Sequence, residues 1–301
     1  MSSGCGNCTS APWRASEMLA AIGETFRKNR GDVQGLLLRR YPDFVLRKEA
    51  ASLETAVSVF VFHAVERERL ECQLRHLAEN GYRPLRSADE FLACLNRRQP
   101  LPPRSVLLTF DDGLANLYTV AFPLLRAHGM AAVAFVVPGF IGQPGFCTWD
   151  QLREMHGSGA IDVQSHTLFH RYATRWPRIV PCLDAAERCQ AEAQRYLSMA
   201  EDYCLARERL EEQLRKPVRH LCYPDYDGTA ESVAFSRQAG YVSNFWGLVH
   251  DRGVNRPGDD PFRVARILDD YILRLPGRGR RSLASVLATK WRANGARWLR
   301  G

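Results

Sequence analysis

The chain has 301 residues, 46% hydrophobic and 25% charged, a globular balance with enough apolar material for one barrel-sized domain or two smaller ones. It has no internal repeat, no low-complexity block and no stretch near the roughly 20 apolar residues of a membrane span, which sets aside fibrous, disordered and membrane-spanning classes. The net charge of +8 suits an anionic partner, but the arginines are scattered and no nucleic-acid motif accompanies them, so no nucleic-acid partner is expected.

Nine cysteines, odd in number and irregularly spaced, fit reduced thiols, and the N-terminus lacks the basic start and apolar centre of a secretion signal; together these lead us to expect a cytoplasmic protein. Cys5 and Cys8 form a CxxC with no second pair nearby, so they are read as part of a leader and not as a zinc or redox site. Residues 1–50 are taken as that leader plus a helical preface from 13 onward, 51–275 as a single barrel, and 276–301 as a basic tail or helix.

Strand and helix patterns then alternate. VSVFVFHAV (57–65) is β-branched and aromatic, and reads as the first buried strand. A helix over about 67–80 stops at Asn80-Gly81, and a second runs near Ser87 to Asn96 before the QPLPP turn. SVLLTF (105–110) is the next strand, Tyr118 to His128 a helix stopped by Gly129, and AAVAFVV (131–137) a further strand. Thr148 caps a helix that buries Trp149, Leu152 and Met155, and IDVQSH (161–166) is a short strand. A long charged helical stretch covers about 181–214, VRHLCYP (218–224) is a strand, and Thr229 to Ala239 is a helix ended by Gly240. This order predicts an α/β parallel barrel, whose functional residues gather where the strands end.

The residues that carry chemistry fall at those ends. Asp111 and Asp112 close one strand; two adjacent carboxylates on a buried strand need a positive partner. His166 closes IDVQSH and His170 follows four residues later, so one helical turn after the strand would face both imidazoles the same way. With one of the two aspartates they supply three ligands, the set of a catalytic zinc that leaves a fourth position for water. The second carboxylate is then left to take a proton from that water. Gly113 permits the chain to curl so that both carboxylates reach one site.

TFDDG (109–113) and SHTLFH (165–170) resemble the first two motifs of the polysaccharide deacetylases, carbohydrate esterase family 4, and YPDYDG (223–228) stands where that family has YPYG. The resemblance runs from about Val57 to Ile267 and includes WDQLREMHGSGAIDVQSH and PLLRAHGMAAVAFVV. It implies a distorted (β/α)7 barrel, a divalent ion (Zn2+, or Co2+ or Ni2+), and hydrolysis of the acetamide of an N-acetylated amino sugar. On this resemblance Asp112, His166 and His170 are the metal ligands and Asp111 is the general base. The backbone N–H of Asp225 is the oxyanion donor, and Tyr223 is a wall of the pocket.

Departures from the family pattern carry information. ILDDYILRLPG lacks the family's closing histidine; in the poly-N-acetylglucosamine deacetylase branch the acid comes from the first strand, where His63 stands here, its other reading being a core histidine bonded to a backbone carbonyl. Cys222 replaces the third motif's arginine. Arg266 resembles a compensating arginine that orients Asp111, its other reading being a surface ion pair. Arg171 follows His170 in place of the common proline. Two further functions stay open: a metal-free hydrolase of another non-peptide C–N bond on the same barrel, and a non-catalytic carbohydrate-binding protein. The expected substrate is a soluble or lipid-linked amino-sugar intermediate. The tail, with Trp291 and Trp298, reads either as a peripheral contact with an anionic membrane surface or as a helix packed on the barrel.

Overall fold

A computed structural model describes residues 35–50, 53–173, 198–248 and 253–298, with side chains through residue 292. The leader with Cys5 and Cys8, and residues 181–197 of the charged stretch, lie outside the described residues. The elements are α1 (Asp43–Leu46), β1 (Ser58–Phe62), α2 (Arg67–Glu79), β2 (Arg83–Pro84), α3 (Ala88–Leu95), β3 (Ser105–Asp112), α4 (Phe122–Ala127), β4 (Ala132–Val136), α5 (Trp149–Gly157), β5 (Ile161–Ser165), α6 (Met199–Leu214), β6 (His220–Cys222), α7 (Ala230–Gln238), β7 (Ser243–Phe245), β8 (Ile267–Leu268) and α8 (Leu283–Trp298).

Every strand pair is parallel, in the order β7-β6-β5-β4-β3-β1-β8, with β2 beside the start of β3. Phe245 at the end of β7 bridges in parallel to Val264, and the N–H of Trp246 bonds to the Val264 carbonyl at 2.8 Å. Because β8 follows three residues later and pairs with β1, the sheet curls into the distorted (β/α) barrel that the alternating pattern predicts.

Both faces of the strands are buried, which is why they read as near-continuous apolar runs. On one face Phe60, Phe62, Leu108, Phe110, Ala134 and Val163 pack under the helices. On the other, Val59, Leu107, Val133, Phe135 and Phe245 fill the barrel. That interior is closed at the start of the strands by α3, whose Ala88, Phe91 and Leu95 join it and whose Ala88 N–H bonds to Asp162 near the start of β5 at 3.0 Å. The opposite end, where the strands finish, is left for side chains of another kind.

The helices begin on side-chain caps that the sequence displays. Thr148, Ser198 and Thr229 each form a reciprocal box with the third residue of the helix, and Ser87 caps α3. α6 buries Met199, Asp202, Tyr203, Ala206 and Leu210, so it is a barrel helix with one charged face. Tyr41, before α1, packs on Tyr271 with ring centres 4.7 Å apart. α8 buries Val286 and Lys290 and leaves Trp291 exposed; Trp298's side chain lies outside the described residues. Among the described residues no helix is long and apolar enough to cross a membrane.

Candidate active site

β3 delivers the two aspartates by different means. Asp111 continues the inward alternation of Leu107 and Thr109 and is buried inside the barrel. The pleat would send Asp112 to the opposite face, but its backbone is left-handed, with φ of 72°, and Gly113 follows at 80°. The curl therefore begins one residue before the glycine. A Cβ on Gly113 would stand 3.0 Å from Ile141 and 3.1 Å from Val136, so the turn needs both the missing side chain and the positive φ.

His166 follows β5 directly and is 2% exposed. Its Nδ1 lies 2.9 Å from the Cys222 carbonyl, the partner that makes Nδ1 the protonated nitrogen and leaves the Nε2 lone pair for a metal. Burial lowers its pKa to about 4, so the ring is neutral at pH 7, as a metal ligand must be. His170 does not reach the site through a helical turn, as expected above. The stretch from His166 to Arg171 is an irregular loop, and Thr167 (φ 65°) and His170 (φ 56°) reverse its direction through left-handed backbone. The loop is pinned from two sides: Leu168 N–H bonds to Asp202 of α6 at 2.9 Å, and Gly139 N–H bonds to the Leu168 carbonyl at 2.9 Å.

These turns bring Asp112 Oδ1 to 3.5 Å from His166 Nε2 and 3.4 Å from His170 Nε2. Donors about 2.0–2.1 Å from a tetrahedral zinc lie roughly 3.3–3.5 Å from one another. Asp112 Oδ1 is also a buried atom without a hydrogen-bond partner, which a fold tolerates poorly unless something else takes up the lone pairs. Burial opposes its ionisation, but the imidazoles of His170 and His166 hold its carboxyl well below the usual carboxylate range. Two imidazoles and one carboxylate whose inner oxygen has no hydrogen-bond partner fit a divalent metal.

Asp111 stands beside this group, its Oδ2 4.0 Å from His166 Nε2. Arg266, fully buried just before β8, donates Nη1 to Oδ1 at 2.7 Å and Nη2 to Oδ2 at 2.9 Å. Its Nη1 also reaches Thr109 Oγ1 at 3.2 Å, and its Nε bonds to the Trp246 carbonyl at 2.9 Å. The Cys222 thiol lies 3.7 Å from Asp111 Oδ2 as a weak donor. Burial opposes the Asp111 charge, yet Arg266 and the nearby imidazoles hold its carboxyl below the usual range. Arg266 is thus the positive partner that two adjacent carboxylates require, and it is no surface ion pair.

The Polysaccharide deacetylase family model matches residues 98–243. The structure of IcaB from Ammonifex degensii superimposes with a TM-score of 0.60 at 30% identity, covering 73% of this chain and 95% of that one. The chain belongs to the polysaccharide deacetylase family.

This polysaccharide deacetylase family member also shares its fold with the BpsB deacetylase domain of Bordetella bronchiseptica, at a TM-score of 0.58 and 23% identity over 73% of this chain and 98% of that one. The poly-beta-1,6-N-acetyl-D-glucosamine N-deacetylase of Escherichia coli strain K12 is 33% identical over 126 residues, 37% of this chain and 19% of that protein. The protein of that name from Staphylococcus aureus is 28% identical over 110 residues, 35% of this chain and 37% of that protein. The matched stretches thus span well under half of these curated relatives.

In this family member the third motif departs from the sequence reading. Tyr223 is no pocket wall: it is fully buried, its hydroxyl accepts from Asn244, and its ring packs edge-on to Trp246. Tyr226 faces the site instead. Its hydroxyl lies 3.3 Å from His63 Nε2 and its ring centre 5.7 Å from the Arg266 guanidinium carbon. The lengthened YPDYDG makes the difference, because Pro224–Tyr226 is a tight turn in which Asp225 (φ 57°) and Tyr226 (φ 63°) are both left-handed. Asp225 sits in that turn with an exposed side chain. His63, the residue after β1, is half-buried at the same rim. The sequence reading missed Tyr226 and Asp202; the second tyrosine of YPDYDG was the one available signal for the first, and Asp202 had none.

Proposed function

We propose that this protein is a metal-dependent hydrolase that removes the acetyl group from the nitrogen of an N-acetylated amino sugar. The observation that carries the reading is the meeting of Asp112, His166 and His170 at tetrahedral donor spacing, next to a base clamped by Arg266. Asp112, His166 and His170 hold the ion, zinc or a similar divalent metal, which supplies Lewis acidity and lowers the pKa of water. Asp111 takes the proton of the attacking water: Arg266 occupies one lone pair on each carboxylate oxygen and leaves the others to accept. In this reading the oxyanion donor is the backbone N–H of Asp225, in the left-handed turn of the third motif. His63, held toward the site by the Tyr226 hydroxyl, protonates the amine as the C–N bond breaks.

A metal-free hydrolase has no use for the orphaned Asp112 oxygen, and a carbohydrate-binding protein has none for a buried Asp111–Arg266 pair, so both alternatives have less support. The described cysteines, Cys72, Cys94, Cys147, Cys204 and Cys222, are free thiols, which supports placing the reaction in the reducing cytoplasm.

The test is elemental analysis of protein purified without chelating resin, together with acetate release from N-acetylated sugars. Near-stoichiometric metal that is lost in Asp112→Ala and His166→Ala, and acetate release abolished in Asp111→Asn with metal retained, support the proposal. Failure to bind metal after zinc is added back would sink it.

A further inference from the structure

The third motif holds one side chain that the reaction above does not use. Cys222 stands in the arginine position of that motif, and Arg266 supplies the cation to Asp111 from just before β8. A thiol therefore points into the barrel where a charge would have been. Cys222 ends β6, is fully buried, and carries its Sγ 3.7 Å from Asp111 Oδ2. Asp111 Oδ2 in turn lies 4.0 Å from His166 Nε2. The Cys222 sulfur, an Asp111 carboxylate oxygen and a His166 ring nitrogen all lie within 4.8 Å of one another. They make a second set of three donors, which shares His166 with the Asp112 set.

The two sets differ in size and in softness. Donors in the Asp112 set are 3.4 and 3.5 Å apart, the spacing around zinc. In the Cys222 set the separations are 3.7 and 4.0 Å; at tetrahedral angles these correspond to bonds of about 2.3–2.5 Å, longer than zinc makes to nitrogen or oxygen. One donor is sulfur, which favours soft cations, whereas carboxylate and imidazole favour harder ones. Arg266 already offsets the charge of Asp111, so the negative charge for a dication comes from the thiol: the S–H bond breaks, an S–metal bond forms, and the proton leaves to solvent. Cys222, Asp111 and His166 are at most 3% exposed, whereas the side chains of Asp112 and His170 are 22% exposed, so an ion reaches the inner set through the outer one. His166 Nε2 serves one ion at a time, and the two positions exclude each other.

We propose that Asp111, His166 and Cys222 form an inner metal position that takes a large thiophilic cation and switches the enzyme off. An ion held there occupies Asp111, the base, and takes His166 away from the catalytic ion. The loss of activity rests on the deacetylase reading above; the binding itself does not.

The probe is Cd2+, followed by its ultraviolet sulfur-to-metal charge-transfer band. Each spectrum is compared with that of Cys222→Ala, so that the other cysteines cancel, and Cys222→Ser, which fills the same space, repeats the comparison if the alanine variant does not fold. Wild type should show an excess band, and His170→Ala should keep it, because His170 belongs to the outer set alone. Cd2+ should also inhibit acetate release by the zinc-loaded protein. In the Cys222 variant, scored against its own uninhibited rate, the half-inhibiting concentration should rise by at least the roughly tenfold that loss of even an outer-shell partner costs. No excess band in wild type overturns the site. So does a band lost in His170→Ala, which places the ion in the outer set with Cys222 as an added ligand. An excess band with equal inhibition of wild type and the Cys222 variant overturns the switch. A protein that releases no acetate at all sinks the deacetylase reading, and the band still decides the site.

Discussion

Arg266 grips both carboxylate oxygens of Asp111, at 2.7 and 2.9 Å, from 155 residues further along the chain. Both groups are buried in the barrel, so removing one leaves the other as an uncompensated charge. Arg266→Leu should destabilise the fold by about 3–5 kcal/mol. Without the guanidinium, burial pushes the Asp111 pKa up and the carboxylate loses the clamp that orients it, so kcat should fall by roughly 10²-fold or more. Arg266→Lys should recover part of the stability but little of the rate, because a single ammonium cannot hold both oxygens. Urea unfolding and acetate-release kinetics on the two variants check this.

Metal should stabilise the protein by mass action. Zinc at 100 times its Kd contributes about 2.7 kcal/mol, so wild-type melting should rise by several degrees on adding zinc and fall again with chelator. His170→Ala removes one of the three donors, Asp112 Oδ1, His166 Nε2 and His170 Nε2, and should abolish most of that shift. An unaltered zinc response in the variant would contradict the assignment of His170.

Gly113→Ala tests the curl at the end of β3. Alanine at φ of 80°, with its Cβ 3.0 Å from Ile141, combines backbone strain with overpacking, and about 1–3 kcal/mol of destabilisation is expected. The same change should weaken zinc binding, because it displaces Asp112; calorimetric titration reads that directly.

Asp202 gives a pH signature. Burial lifts its pKa to about 6, against the downward pull of the Leu168 N–H and Arg171. Between its ordinary pKa of about 3.9 and 6, the folded state therefore holds more protons than the unfolded state. Its contribution accordingly favours folding at low pH and is lost as pH rises through 6, by about 3 kcal/mol in all. Asp202→Asn keeps an acceptor for Leu168 but does not titrate. Wild type should lose stability relative to the variant by most of that amount, about 2 kcal/mol, between pH 4 and 7, measured by urea unfolding at each pH. Asp202→Ala, which leaves the Leu168 N–H unmatched, should in addition weaken zinc binding.

The parts of the site legible in sequence are those set by local periodicity. Asp111, Asp112 and His166 each close a run of strand residues, and a parallel barrel puts strand ends together. What the sequence conceals is set by loop conformation and by long-range packing. His166 and His170 converge through two left-handed residues, where spacing alone suggests a helical turn. The two extra residues in YPDYDG turn Tyr223 into the core and Tyr226 to the rim, and periodicity has nothing to say about a tight turn. Asp202 sits in a charged helical stretch that reads as solvated, yet α6 buries it 34 residues from the loop it holds. The barrel itself is legible because both strand faces are apolar, whereas the closing pair, Phe245 with Val264, is a single bridge without a strand signal.

Five non-glycine residues with positive φ, Asp112, Thr167, His170, Asp225 and Tyr226, crowd one rim of the barrel. Each costs of the order of 1–3 kcal/mol in backbone strain, which the packing around the rim has to hold, so we expect the rim to open before the strands do. Exchange of the bound ion should then be timed by excursions of the rim and not by diffusion of the ion. Amide protons of the His166–His170 loop would be expected to exchange well before those of β3 and β4, and metal release should keep pace with that opening.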